Sequence, residues 1–188
     1  MAGEVREVMV NGAVQLLARR GLQATSFSEV LAFTGAPRGS VYHHFPEGKE
    51  QLVGEAVDLA GAYLIGLLDA KAGASAVEIS DYFLQVWRSV LIRSDFQSGC
   101  AVLAVTVATD SANLLGHAFA VFRGWRQRLA ELLVQGGLEK KAALRFATTL
   151  IASAEGAVVL SRAEHSIEPF NAVAAQLGEQ IRRVVADA

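Results

Sequence analysis

Thr25 to Phe45, TSFSEVLAFTGAPRGSVYHHF, holds two short helical periods separated by a glycine and a proline. Its first half opens on hydroxyls. Thr25 or Ser26 can accept from the orphan amides of a helix N-terminus, and Glu29 follows Ser26 at the capping-box spacing. Phe27, Val30 and Leu31 share the inward face of that helix. Gly35 can take the positive φ that ends it, and the connection to the next helix is then only about three residues, the length of a helix-turn-helix turn. The second half is oriented by geometry: each helical residue advances ~100°, so Val41 and Phe45 face the same way, which in this polar segment is inward. Gly39 and His43 then stand opposite, flanked by Ser40 and Tyr42, with Arg38 at the N-terminus.

That outward face suits the major groove of DNA. It offers a guanidinium for guanine, hydroxyls, and ring donors for phosphate oxygens. Glycine inside a helix costs about 1 kcal/mol relative to alanine, so Gly39 signals a backbone that approaches another surface closely.

Outward from this segment the chain reads as all-α. Its three prolines stand at 37, 46 and 169, which leaves long stretches with no obligatory helix breaker. The spacing predicts helices near Arg6–Arg20, Ser26–Thr34, Pro37–Phe45, Lys49–Lys71, Ser75–Arg93, Gly99–Ala108, Ser111–Gln135, Lys141–Arg162 and Glu168–Val185. Met9, Ala13, Leu16 and Leu17 form the first stripe, Leu52, Ala56, Leu59, Tyr63 and Leu67 the fourth. Leu115, Phe119, Phe122, Trp125, Leu129 and Leu132 form that of the helix after Ser111. With 188 residues, 52% hydrophobic, the chain has ample material for a buried core. A single cysteine provides neither a disulfide nor a Cys-rich zinc site. The longest run without Asp, Glu, Lys or Arg is Phe96–Thr109, short of the roughly 20 apolar residues of a membrane span. The opening MAGEVREVMV lacks an apolar signal-peptide core, so no membrane association and a cytoplasmic location are expected. Net charge is −2, and the first 50 residues hold five basic and five acidic side chains. DNA binding therefore has to rest on where a few charges sit.

The stretch resembles the DNA-binding signature of TetR-type transcriptional regulators. The residues that carry it are Thr25, Gly35, Arg38-Gly39-Ser40-Val41-Tyr42-His43-His44-Phe45 and Lys49. GAPRGSVYHHFPEGKEQL, Gly99-Cys100 and AEGAVVLSRAEHSIEPF (Ala154–Phe170) resemble the LmrA/YxaF-type branch. The resemblance implies a three-helix helix-turn-helix domain over residues 1–47. A long helix fuses it to a helical effector-binding and dimerisation domain over 48–188, with about nine helices in all. It implies a homodimer that binds a palindromic double-stranded operator through Thr25, Ser26, Ser28, Arg38, Gly39, Ser40, Tyr42, His43, His44 and Lys49. A small apolar or aromatic effector would release a repressor of this kind, with Lys49–Lys71 as the lever; an activator is the alternative. Two departures stand out: Pro37 replaces the usual capping serine of the recognition helix, and Ser28 stands where some relatives carry a basic residue. Arg38 is then the only basic candidate for reading bases.

Other residues carry two readings each. Phe83, Trp87, Phe96, Phe119, Phe122 and Trp125 are core by composition, or by the resemblance the wall of an effector pocket, with His117, Asp110 and Cys100 beside them. Cys100, in the apolar GCAVLAV, is an inert core thiol or a redox sensor. His43 and His44 point about 100° apart and have no metal-ligand spacing around them, so neither metal nor cofactor is expected. GxSxG, P-loop and GxGxxG signatures are absent, which argues against an enzyme. Ala152, Ser153, Ala154, Gly156 and Ala157, followed by Val173, Leu177, Ile181 and Val184, pack within the chain or form a symmetric four-helix dimer interface through the last two helices.

Overall fold

The computed structural model describes residues 2–186, without the side chains of Ala2, Ser40 and Tyr42. Every regular element among them is helical. The elements are α1 (Ala2–Arg20), α2 (Phe27–Thr34), a 3-10 turn (Arg38–Ser40) running into α3 (Val41–His44), α4 (Lys49–Asp69), α5 (Ala76–Arg93), α6 (Ala101–Thr106), α7 (Ala112–Gln135), α8 (Lys140–Glu164) and α9 (Glu168–Ala186). Eight of these are helices of six residues or more, and α3 is a single turn.

Local chemistry sets the ends. Ser26 caps α2 by accepting the Glu29 amide at 3.2 Å, and Gly35 closes it at φ 71°, where a side chain would be strained. Ser75 and Glu78 form a reciprocal capping box on α5. Glu139 caps α8 by accepting the amides of Lys141 and Ala142 at 2.8 and 3.0 Å. Hydrogen bonds to Ser75 hold the Glu78 carboxyl below the usual carboxylate range, and those from Lys141 and Ala142 do the same for Glu139.

The recognition segment differs from the continuous Pro37–Phe45 helix that its spacing suggests. Pro37 is extended (φ −65°, ψ 132°) and gives no side-chain cap, and Gly39 is a weak helix former. The opening turn therefore tightens to 3-10 geometry before one α-turn completes it.

The chain divides into two compact units, the first holding residues up to Tyr63 with Cys100–Phe122, the second Leu64–Gly99 with Arg123 onward. Both α4 and α7 contribute to each. This division by compactness is distinct from the functional boundary expected after residue 47.

In the first unit Met9, Ala13, Leu16 and Leu17 of α1 are fully buried, as their stripe predicts, with Val30, Val41, Phe45, Leu52, Val53, Ala56, Val102 and Val105. The second half of the expected α7 stripe, Trp125, Leu129 and Leu132, is buried, and its first half is corrected by one residue. Leu114, Ala118, Val121 and Trp125 are buried, whereas Leu115 and Phe119 are exposed, Phe119 by 64%. The reason lies on α4. A Cβ on Gly54 would stand 2.8 Å from His117 Nε2, and one on Gly61 2.7 Å from Val121 Cγ2, so two glycines seven apart form the trough that receives His117 and Val121 of α7. Tyr63, expected inside, is 70% exposed.

In the second unit Ile79, Phe83 and Leu91 of α5, Leu129 and Leu132 of α7, Phe146 and Leu150 of α8, and Phe170 and Ile181 of α9 form the core. Arg88 Nε donates to Asn171 Oδ1 at 3.3 Å, and Arg128 Nε to Asp69 Oδ1 at 2.6 Å. By length and composition α4 and α8 are long and apolar enough to cross a membrane, which the longest uncharged run did not reveal. About half of each apolar window, 44% and 50%, is buried inside the chain, as core helices require.

Candidate nucleic-acid interface

The helix-turn-helix presents one face and spends the other. Val41 and Phe45 are 2% and 0% exposed, and the Phe45 ring lies 6.2 Å from that of Phe27 on α2. Arg38, Gly39 and His43 are exposed on the far side, with His44 half-buried and its ring 5.2 Å from that of His43. Arg38 makes no hydrogen bond or ion pair with any described residue, so its donors face outward unspent. A Cβ on Gly39 would meet nothing within 4 Å; its small size serves no packing inside the chain. The side chains of Ser40 and Tyr42, both expected at the interface, lie outside those described. At the start of α2, Ser28 is exposed and Ser26 half-buried, with their hydroxyls 2.8 Å apart.

Two expected DNA contacts are engaged internally. Thr25 is 1% exposed, and its hydroxyl donates to the Gly21 carbonyl at 2.8 Å, closing the α1–α2 turn. Its hydroxyl is therefore a turn-forming group here and is not presented at the surface. Lys49 is half-buried, with Nζ donating to the Leu22 carbonyl at 3.1 Å, so its charge stands beside the same turn.

A polar chain that sequence reading missed ties this element to its neighbours. Arg6 of α1 pairs with Glu55 of α4 at 2.5 Å, and its guanidinium carbon stands 5.7 Å from the Phe45 ring centroid. The same Glu55 oxygen accepts from Gln51 Nε2 at 3.1 Å, and Gln51 Oε1 accepts the Glu47 amide at 3.2 Å. Arg6 and Glu55 are 49 residues apart, a separation at which spacing carries no signal. One turn further along α4, Asp58 accepts from His117 Nδ1 at 2.9 Å.

The expected effector residues fall in both units. In the second unit Phe83 is core, and Trp87 and Trp125 meet edge to face with centroids 6.5 Å apart. Trp87 Nε1 is buried and finds no hydrogen-bond acceptor among the described residues. Phe96 is half-buried and packs at a tilt against His165, centroids 5.0 Å apart, where Asp95, Phe96 and His165 all take positive φ. It belongs to a corner. In the first unit His117 is committed to Asp58, Phe119 is exposed and Phe122 half-buried. Cys100 is 7% exposed and caps α6, its Sγ accepting the Leu103 amide at 3.3 Å. No group of three His, Cys, Asp or Glu able to hold a metal occurs among the described residues.

Residues 10–56 match bacterial regulatory proteins of the tetR family, and residues 76–176 match the C-terminal domain of LmrA/YxaF-like transcriptional regulators. The uncharacterized HTH-type transcriptional regulator Rv0196 of Mycobacterium tuberculosis H37Rv is 35% identical over 92% of this chain and 91% of its own. YxaF of Bacillus subtilis 168, an uncharacterized HTH-type transcriptional regulator, is 29% identical over 96% and 97%. A TetR transcriptional regulator from Chloroflexus aurantiacus has TM-score 0.78 and 30% identity over 96% of each chain. One from Legionella pneumophila has TM-score 0.83 at 19% identity, over 93% of this chain and 95% of that one, a likeness of fold alone. An exposed recognition face, a family match over more than half the chain and a 35% identical relative along nine-tenths of it lead to one identification: the chain belongs to the TetR family of helix-turn-helix transcriptional regulators, in its LmrA/YxaF-like group, and not to a family of enzymes.

Proposed function

We propose that this regulator is a cytoplasmic homodimeric repressor that binds a palindromic operator and is released by a small apolar or aromatic effector. Residues 1–47, with Lys49 at the start of α4, would hold the DNA, and the rest of 48–188 the effector and the dimer partner. The observation that carries the DNA reading is Arg38: exposed and unspent, on the face of a helix-turn-helix whose inner residues, Val41 and Phe45, are fully packed. Around it Gly39, Ser40, Tyr42, His43 and His44 would meet the groove, and Ser26, Ser28 and Lys49 the phosphates. Two such elements would enter successive major grooves about 34–36 Å apart, so an effector that favours another separation weakens binding.

Support for a dimer through α8 and α9 comes from Leu144, Val159 and Leu160, each about half exposed, and from a groove of about 340 Å³ lined by Ser153, Gly156, Ala157, Leu160, Val173 and Leu177. Support for an effector comes from the Trp87–Trp125 pair, whose buried indole N–H would donate to an acceptor atom on an otherwise apolar ligand. Burial and the cap on α6 speak against Cys100 as a redox sensor.

The test is a pair of duplexes, one selected by the wild-type protein from a random pool and one scrambled. Arg38→Ala should relax the preference for the selected duplex, with a loss of about 1–3 kcal/mol of discrimination per recognition element. Equal losses on both duplexes would overturn the role of Arg38.

A further inference from the structure

The recognition element cannot hold its own direction. It consists of one 3-10 turn and one α-turn, and Pro37 leaves its N-terminus without a side-chain cap. Buried Val41 anchors its middle, and Phe45 its far end. There Phe45, fully buried, meets both the ring of Phe27 and the guanidinium of Arg6. Arg6 is held in turn by Glu55, and Glu55 connects through Gln51 to the amide of Glu47, two residues beyond Phe45. The ring of contacts closes on the turn that joins α3 to α4.

We infer that Arg6 is a positioning residue for DNA recognition, which with Glu55 fixes Phe45 and the turn after it against α4 and so sets the angle at which Arg38 and His43 meet the groove. The inference rests on the reading of residues 38–44 as the recognition element. Stability alone gives little reason for the pair: Arg6 and Glu55 retain 45% and 23% of their side-chain exposure, and ion pairs that water reaches add little to folding. A direct phosphate contact by Arg6 is the competing role, and the two are separable because Glu55 neutralises the charge that such a contact would use.

The probe is again the selected duplex against its scrambled form, with affinity measured across a salt series and thermal melting as a check on folding. Arg6→Gln and Glu55→Gln should each weaken the selected duplex about tenfold, leave the scrambled one within about twofold and keep the salt slope, because the position of the element and not a phosphate contact is lost. The double variant should be no worse than either single, since both remove one device. The positioning role is overturned if Arg6→Gln weakens both duplexes and lowers the slope by about one while Glu55→Gln strengthens them, which marks a phosphate contact. It is equally overturned if neither variant changes the selected duplex. Arg38→Ala separates the two readings: if it leaves the preference intact, the recognition element itself is misassigned, whereas a normal Arg38→Ala beside unaffected Arg6 and Glu55 variants removes the positioning role alone.

Discussion

Thr25 and Lys49 hold the same turn through neighbouring carbonyls. The threonine hydroxyl donates to the carbonyl of Gly21 and the lysine ammonium to that of Leu22, so a buried neutral donor and a half-exposed charged one share the turn after the C-terminal end of α1. Only the second has charge to offer DNA. Lys49→Ala should weaken selected and scrambled duplexes alike and lower the salt slope by about one, read from binding isotherms at several ionic strengths. At this scale the sequence was legible where a partner lies within one turn. Ser26 and its Glu29 amide are three apart, and the left-handed conformation of Gly35 follows from its place after the last helical residue. It was illegible where the partner is remote: nothing in MAGEVREVMV marks Arg6 for Glu55, and nothing near His117 marks it for Asp58.

Helix existence was readable from periodicity, but facing was not, and α7 shows why. It carries two adjacent apolar rows, one through Leu114, Ala118, Val121 and Trp125 and another through Leu115, Phe119 and Phe122, and a period of 3.6 fits both. The choice is made by α4, whose small residues admit the first row. This gives opposite outcomes for the same substitution on two helices. Gly61→Ala drives a methyl between both γ-methyls of Val121, at 2.7 and 2.8 Å, an overpacking that costs about 1–3 kcal/mol and exceeds the ~1 kcal/mol gained in helix propensity. Gly124→Ala meets only Ile65 Cδ1 at 3.7 Å, ordinary contact, and keeps the propensity gain. The first variant should melt below the parent and the second above it, by roughly 2–4 °C per kcal/mol in calorimetry. The recognition segment failed in another way: its facing was right while its geometry was not, because Pro37 and Gly39 alter the pitch of the opening turn without moving Val41 and Phe45 from the core.

For the molecule as a whole, the proposed dimer decides whether weak individual contacts suffice. A chain of net charge −2 with few basic groups near its recognition element would gain specific affinity by doubling them in such a dimer. Leu160 is 51% exposed beside the α8–α9 groove, so Leu160→Glu should fold normally, sediment as a monomer and bind a selected duplex no better than a half-site. Centrifugation together with the binding isotherm checks both halves of that expectation. Cys100, the only cysteine, has a further consequence. Its sulfur lies inside the chain and is occupied by the Leu103 amide, so the folded protein presents almost no thiol chemistry to the solvent. A cysteine added at an exposed position next to the recognition segment would then be the reactive thiol of each protomer. A pair of spin labels placed there would act as a molecular ruler, giving the half-site separation in solution with and without effector, and no native residue would need to be removed first.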